Sequence, residues 1–309
     1  MRDLDLAQLS ALAAVVDEGS FDAAAARLQL TPSAVSQRIK ALERTAGQVL
    51  VRRSRPTSPT PAGESYLRLA RQLVVLVQHA QAEIQQGADP PAIPVAVNAD
   101  SLATWVLPAL ATVADVATFD LYREDQAHTT ELLRAGVVVA AITSESEPVQ
   151  GCRSTPLGTM RYRPTAAPAF VDRWFAHGVN ADSLAVAPVI VFDRKDHLQD
   201  DYLRKVTRRR IASPRHYVPS SADYAEAVRL GLGWGMLPRQ QSAALLTAGE
   251  LVVFDERRHL DVPLHWQQWT LRTPTLDTVA EAIRAAATVA LDGAGQRRRP
   301  KQRLSGESW

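Results

Sequence analysis

"TPSAVSQRIKALE", residues 31–43, is the stretch on which the reading of this chain turns. Thr31 suits a helix N-cap, because its hydroxyl can accept from an otherwise orphaned amide of the first turn. Pro32, at the first helical position, loses nothing by lacking an N–H. Val35, Ile39 and Leu42 recur at steps of four and three, which predicts a helix with one apolar face. Ser33, Ser36, Gln37, Lys40 and, just beyond, Arg44 share the opposite stripe. These are hydrogen-bonding groups and cations, the residue types that suit base edges and phosphate oxygens. Glu43, the one acid, falls off that stripe. A merely solvated helix face can carry the same residues, so the stripe alone leaves both readings open and its neighbours decide.

Upstream, Leu6, Leu9, Ala13 and Val16 mark one face of a first helix. "DEGS", residues 17–20, interrupts it, with Gly19 as the stop and Ser20 as the cap of a second helix. Asp22 sits at the positive end of that helix, and Phe21, Ala24, Ala25 and Leu28 form its buried side. The tight turn "LQLTP", residues 28–32, leads into the third helix, completing a helix-turn-helix. Gly47 ends the third helix. "QVLVRR", residues 48–53, reads as a short strand with Val49 and Val51, and Pro56 and Pro59 bound the loop after it. A strand followed by an Arg-rich loop is a wing, with Arg52, Arg53 and Arg55 reaching a phosphate backbone or minor groove. The candidate DNA-binding set is therefore Ser20, Thr31, Ser33, Ser36, Gln37, Lys40, Arg44, Arg52, Arg53 and Arg55, within a winged helix-turn-helix domain at residues 1–60.

From Thr60, a cap, and Pro61, a long helical pattern runs to about residue 88. Leu67, Ala70, Val74 and Val77 share a face that Leu69, Leu73 and Leu76 widen. Roughly 26 residues of it, at 1.5 Å each, span about 39 Å. So long and apolar a helix calls for a partner, and a second copy of the chain is the economical one.

"LSALAAVVDEGSFDAAAARLQLTPSAVSQRIKALERTAGQVLVRR", residues 9–53, resembles the LysR-type transcriptional regulators. The matching pieces are "GSFDAAAARL", "TPSAVSQRIKALE" and "VLVRR" with "PTSPTPAG" after it. "FDAAAARL" with "VLVRR", where many relatives carry a Phe, is similar to the LysG/ArgP branch, whose members sense basic amino acids and activate genes for their export or metabolism. The resemblance implies an α+β chain: the winged domain, a linker and dimerisation helix at 61–88, and a two-lobed effector domain like a periplasmic binding protein. It also implies double-stranded DNA and a small-molecule effector as partners, RNA polymerase contact, and a homodimer or tetramer.

Composition sets outer bounds. No apolar run reaches the roughly 18 residues that cross a bilayer, and "MRDLDLAQLS" lacks the layout of a signal peptide, so a cytoplasmic protein is expected, with no membrane partner. Cys152 is the only cysteine, which excludes an internal disulfide and any CxxC zinc or redox pair; it reads as a small buried hydrophobe. No GxSxG, HExxH or Walker A pattern appears, so a binding protein without metal or cofactor fits better than an enzyme. Residues 1–88 hold ten Lys/Arg against eight Asp/Glu, residues 89–296 twenty against twenty-four, and residues 297–309 five against one. The excess of cations thus sits in the tail at 294–309, read as a basic disordered end.

"QQGADPPAIP" is a linker by composition. After it, "VAVNAD", "SLATWVLPAL", "FDLYRE", "TTELLRAG" and "VVVAAI" read as β-α-β-α-β, with Ser101 opening the first helix. A second set follows with "RYRPTAAP", "VAPVIVFD" and "SADYAEAVRLGLGWGMLP". The effector domain is placed at 89–293, with lobe I at about 92–160 and 263–292 and lobe II at about 161–262. In such sheets, ligands bind beyond the carboxyl ends of strands. Hydroxyls there, Ser101, Thr143 and Ser144, suit an α-carboxylate; Asp100, Asp193 and Asp223, with Glu124 after them, suit an α-ammonium and a cationic side chain; Ser221 joins the effector set as a strand-end group before a helix. Each alone is as readily a helix cap or a solvated loop group. Trp105, Trp234 and His197 are expected in core and surface roles. The alternatives are an architectural DNA-binding protein with no effector, or a LysR-type regulator of a different effector.

Overall fold

The computed structural model describes residues 4–84, 92–123, 129–207, 211–271 and 273–293. Glu124 and the basic tail lie outside them. The chain divides into two compact units, Met1–Thr155 with His265–Ile283, and Pro156–Leu264 with Arg284–Trp309.

The first unit opens with α1 (Leu6–Asp17), α2 (Phe21–Arg27) and α3 (Pro32–Ala46). Val35, Ile39 and Leu42 of α3 are fully buried against Leu9, Leu12 and Val15 of α1 and the alanines of α2. Leu6, expected on the buried face, is instead 41% exposed. The buried set begins at Leu9, because helices pack on α1 from two sides and bury most of its girth beyond the first turn. The caps follow the chemistry of the sequence. Ser20 accepts from Ala23 N at 3.1 Å and Thr31 from Ala34 N at 3.2 Å. Gly47 closes α3 in the left-handed region, φ +71, where a side chain would be strained.

The wing is a two-stranded antiparallel ladder of β1 (Val51–Arg52) and β2 (Ser58–Pro59). It is shorter than the expected strand: Val49 lies outside it and is 64% exposed. α4 (Pro61–Ile84) follows, capped by Thr60, whose Oγ1 accepts from Gly63 N at 3.0 Å and donates to Val49 O at 2.7 Å.

The same unit holds β3 (Ala92–Val97), β4 (Thr118–Arg123) and β5 (Ala140–Thr143), with α7 (Thr129–Ala135) between the last two. β3 pairs in parallel with both β4 and β5. The helical run between β3 and β4 is α5 (Ala99–Ser101), a π-helical turn Leu102–Val106, and α6 (Leu107–Ala111). Its N-cap position is Asn98, not Ser101. Pro108 lacks the N–H that a regular ladder would use, which accounts for a local change of hydrogen-bond register just before it. The late strand β11 (Leu260–Trp269) returns antiparallel to β5, pairing His265 with Thr143.

The second unit is built on β6 (Cys152–Ala166), which begins in the first. β6 pairs antiparallel with β9 (Gly235–Pro238) and β10 (Val252–Val253). α8 (Pro168–Trp174) and α9 (Ala181–Val186) lead to β7 (Val189–Val191), and α10 (Leu198–Thr207) to β8 (Arg215–Tyr217), parallel to β7. α11 (Ser221–Arg229) and α12 (Arg239–Thr247) flank β9; α13 (Pro274–Ala290), the last described helix, runs from the first unit into the second. Trp234 is fully buried, edge-on to Tyr202 and Phe254, and Trp105 is buried too. Cys152 is only half-buried, less than expected, and burial pushes its thiol up to about 11.

His265 sits half-buried on β11, and its Nδ1 has no hydrogen-bond partner among the described residues. Burial holds its imidazole below the ordinary histidine range. The unfolded chain therefore takes up the proton more readily than the folded one. The resulting stability is present above the unfolded value of about 6.5 and is lost as pH falls from there through the lower folded value. His265→Gln is expected to flatten that acid-side loss. Urea unfolding of both proteins above and below that pH checks it, and an equally steep loss in the variant would contradict it.

Candidate nucleic-acid interface and effector groups

On α3, Ser33, Gln37, Lys40 and Arg44 are exposed and Ser36 half-buried, on the side opposite the core triad. Arg44 is steadied along the helix by donating from Nε to Lys40 O at 3.4 Å. Glu43 plays a structural part instead, since its Oε1 accepts from Leu50 N at 2.9 Å and fixes the turn into the wing. The helix thus keeps its only acid engaged with its own backbone and offers amide, hydroxyl and cationic groups outward. An open groove of about 780 Å³ beside it is lined by Gln37, Lys40, Glu43, Arg44, Gly47, Gln48 and Val49. Sequence reasoning placed Val49 in the wing strand and gave Gln48 no role, and nothing in the local pattern marked either as a groove residue.

The wing arginines Arg52, Arg53 and Arg55 are all exposed. Arg53 lies over the Phe21 ring, 5.2 Å from its centroid, which limits its rotamers. Thr57 N donates to Gly19 O at 2.8 Å and ties the wing to the α1–α2 turn. Ser20 and Thr31 spend their hydroxyls as caps, so any contact with DNA from these positions would come from outward lone pairs or backbone.

Two expected outcomes separate the roles. Arg53→Ala should weaken binding to specific and random duplex alike and reduce the salt slope by about one. Gln37→Ala should cost about 1–3 kcal/mol of discrimination between a preferred site and random DNA. Fluorescence titrations over a salt series measure both, and undiminished discrimination by the Gln37 variant would contradict base readout.

Each unit also presents polar groups at the carboxyl ends of neighbouring parallel strands. In the first, Ser101 follows β3 and Thr143 ends β5, with Ser144 next to it. Ser101 is fully buried, and its Oγ has no hydrogen-bond partner among the described residues; the same holds for Asn98 Oδ1, which sequence reasoning passed over. Asp100 is half-exposed in the first turn. Thr143 Oγ1 accepts from Glu145 N at 3.2 Å. In the second unit, Asp193 follows β7 and Ser221 follows β8. Asp193 Oδ1 accepts from Lys195 N at 2.7 Å and Asp196 N at 3.0 Å, so this carboxylate shapes its own turn. Ser221 is held by Gln241, whose Nε2 donates to its carbonyl at 2.5 Å and to its Oγ at 3.2 Å. Asp223 is exposed. Among the described residues, no cluster of three or more His, Cys, Asp or Glu could hold a metal ion, and no helix is long and apolar enough to cross a membrane.

A winged helix-turn-helix with an outward cationic stripe, together with α/β units bearing strand-end polar groups, defines a DNA-binding regulator with an effector domain. Residues 6–64 match the family described as "Bacterial regulatory helix-turn-helix protein, lysR family", and residues 94–288 match "LysR substrate binding domain". The chain belongs to the LysR family of transcriptional regulators.

It is 48% identical over 299 residues to the HTH-type transcriptional regulator LysG of Mycobacterium tuberculosis, covering 96% of this chain and 98% of that one. It is 42% identical over 287 residues to the lysine export transcriptional regulatory protein LysG of Corynebacterium glutamicum, covering 91% and 97%. The solved structure of full-length LysG from Corynebacterium glutamicum with the effector Arg bound superposes with a TM-score of 0.79 at 40% identity, over 94% of this chain and all of that one.

Proposed function

We propose that this chain is a one-component regulator that binds a basic amino acid and activates a gene for its export or metabolism. The observation that carries the reading is the 40% identity, over nearly the whole chain, to a LysG whose structure holds arginine. The strand-end groups support it: hydroxyls for an α-carboxylate, and the carboxylates of Asp100 and Asp223 for cationic groups, whereas Asp193 holds its own turn. Glu124 belongs to the same set by sequence. Two copies pair through α4 and set their α3 helices in successive major grooves, about 34–36 Å apart. Pairs of dimers would cover a longer site, within reach of RNA polymerase. The amino acid acts by binding two arrangements of the protein unequally. On this reading the chain is a binding protein, not a catalyst, and works in the cytoplasm, where its DNA is.

A thermal-shift screen of the twenty amino acids tests the reading, since a ligand stabilises by RT ln(1 + [L]/Kd). Lysine, arginine or histidine should raise the melting temperature and change operator occupancy. A response confined to other amino acids, or to none, would overturn it.

A further inference from the structure

Arg71, on the linker helix α4, bonds both to the winged domain and to the α/β part of the first unit. Its Nη2 pairs with Asp17, the last residue of α1. Its Nη1 donates to Ala135 O at 2.6 Å. Ala135 ends α7, at the negative end of the helix dipole. The Arg71 side chain is 15% exposed and that of Asp17 31%, so the pair is partly shielded from solvent. Contact between the two helices is tight: a Cβ on Gly136, which closes α7 at φ +71, would lie 3.1 Å from Arg68 Cα.

The other end of α7 meets the loop after β5. Thr130 Oγ1 donates to Glu145 Oε1 at 3.3 Å. Glu145 N donates to Thr143 Oγ1 at 3.2 Å, and Glu145 O accepts from Gln267 Nε2 at 2.9 Å. Glu145 is thus gripped through its amide, its carbonyl and its carboxylate. From Thr143 the bonds run through Glu145 to Thr130, along one rigid seven-residue helix of about 10 Å, to Ala135, Arg71 and Asp17.

We propose that Arg71 is the joint through which the loop at residues 143–147 biases the winged domain, with α7 as the lever. The statement that this loop senses the effector rests on the proposed function; the mechanical coupling does not. A guanidinium suits this role because it can hold a carboxylate and a carbonyl at once in a fixed fork, so a shift of α7 along its axis forces a choice between the two partners. Arg27 also reaches Asp17, at 3.5 Å, so the carboxylate keeps a cation when Arg71 lets go, and the winged domain need not unfold.

The test is a double-mutant cycle without any amino acid present, on a duplex selected from a random pool by the unmodified protein. Thr130→Val severs the lever from the loop. It should change duplex affinity at least about threefold in the unmodified background and leave it unchanged in Arg71→Met. Equal factors in both backgrounds, or no effect of Thr130→Val in either, would overturn the proposal. If Arg71→Met does not fold, Arg71→Lys replaces it in the cycle; it keeps the charge but loses the fork, and should reduce the coupling. A second arm adds L-arginine or L-lysine. Arg71→Met should keep the thermal shift and lose the change in duplex binding; a retained change counts against the joint. An unmodified protein that ignores both amino acids while showing the coupling would sink the effector reading and leave the joint standing.

Discussion

Gly63→Ala should unfold the winged domain, costing about 3 kcal/mol or more, against the gain of up to about 1 kcal/mol that helix propensity alone would give. Gly63 lies in the first turn of α4, in an ordinary helical conformation. A Cβ there would stand 1.9 Å from Leu50 O and 2.9 Å from its carbonyl carbon. That carbonyl cannot give way, because it accepts from Thr60 N at 2.9 Å while Leu50 N is bound to Glu43 at 2.9 Å and the Leu50 side chain is fully buried. Yielding would break the wing or the cap of the linker helix. In circular dichroism melts, the variant should lose an early transition, and duplex affinity should fall about 100-fold or more, the equivalent of that energy. The second unit should keep its own unfolding transition. An unchanged melting profile would contradict the prediction.

That glycine also marks how much could be read from the chain. The helix-turn-helix was legible because its determinants are local: Val35, Ile39 and Leu42 repeat at helical spacing, and Thr31, Pro32 and Gly47 punctuate within one turn of where they act. "PTPAG" could be recognised as a motif, but the reason for its glycine lies thirteen residues back, at Leu50. The same limit governed the α/β part. Strand-end positions of Ser101, Thr143, Asp193 and Ser221 followed from pattern. Which of them is buried and unpartnered, and which is spent on its own turn as Asp193 is, depends on hydrogen bonds that no periodicity encodes. β6 was read only over its second half, since "CRSTPLGTMRYRPTA" shows no clean alternation: it is half-buried over much of its length and crosses from one unit to the other. Val49 failed for a related reason. β-branching favours a strand, but a two-residue ladder ends before it.

Tyr224→Phe is the second large effect, and it concerns the unit that presents Asp193 and Ser221. The phenol is buried and serves three elements at once. It donates to Ile190 O on β7 at 2.9 Å, and accepts from Met236 N on β9 at 3.0 Å and from Gln199 Nε2 on α10 at 2.9 Å. The glycine-rich run "GLGWGMLP" is shaped around it: a Cβ on Gly235 would lie 2.6 Å from the hydroxyl oxygen. Phenylalanine fills the same space, so packing is conserved and only the hydroxyl is lost. A buried backbone N–H, a buried C=O and the buried Gln199 amide are then left without this partner, and an unsatisfied buried group costs about 1–3 kcal/mol, more than an average hydrogen bond contributes. The second unit should lose about 2–4 kcal/mol, seen in urea unfolding and as faster amide exchange at Met236. β7 carries Asp193 at its end and α11 begins at Ser221, so loosening their common anchor should also weaken the response to a bound amino acid while duplex binding in its absence holds. A loss below about 1 kcal/mol would mean that water or a shifted neighbour replaces the hydroxyl, and that Tyr224 is not what sets the spacing of these strands.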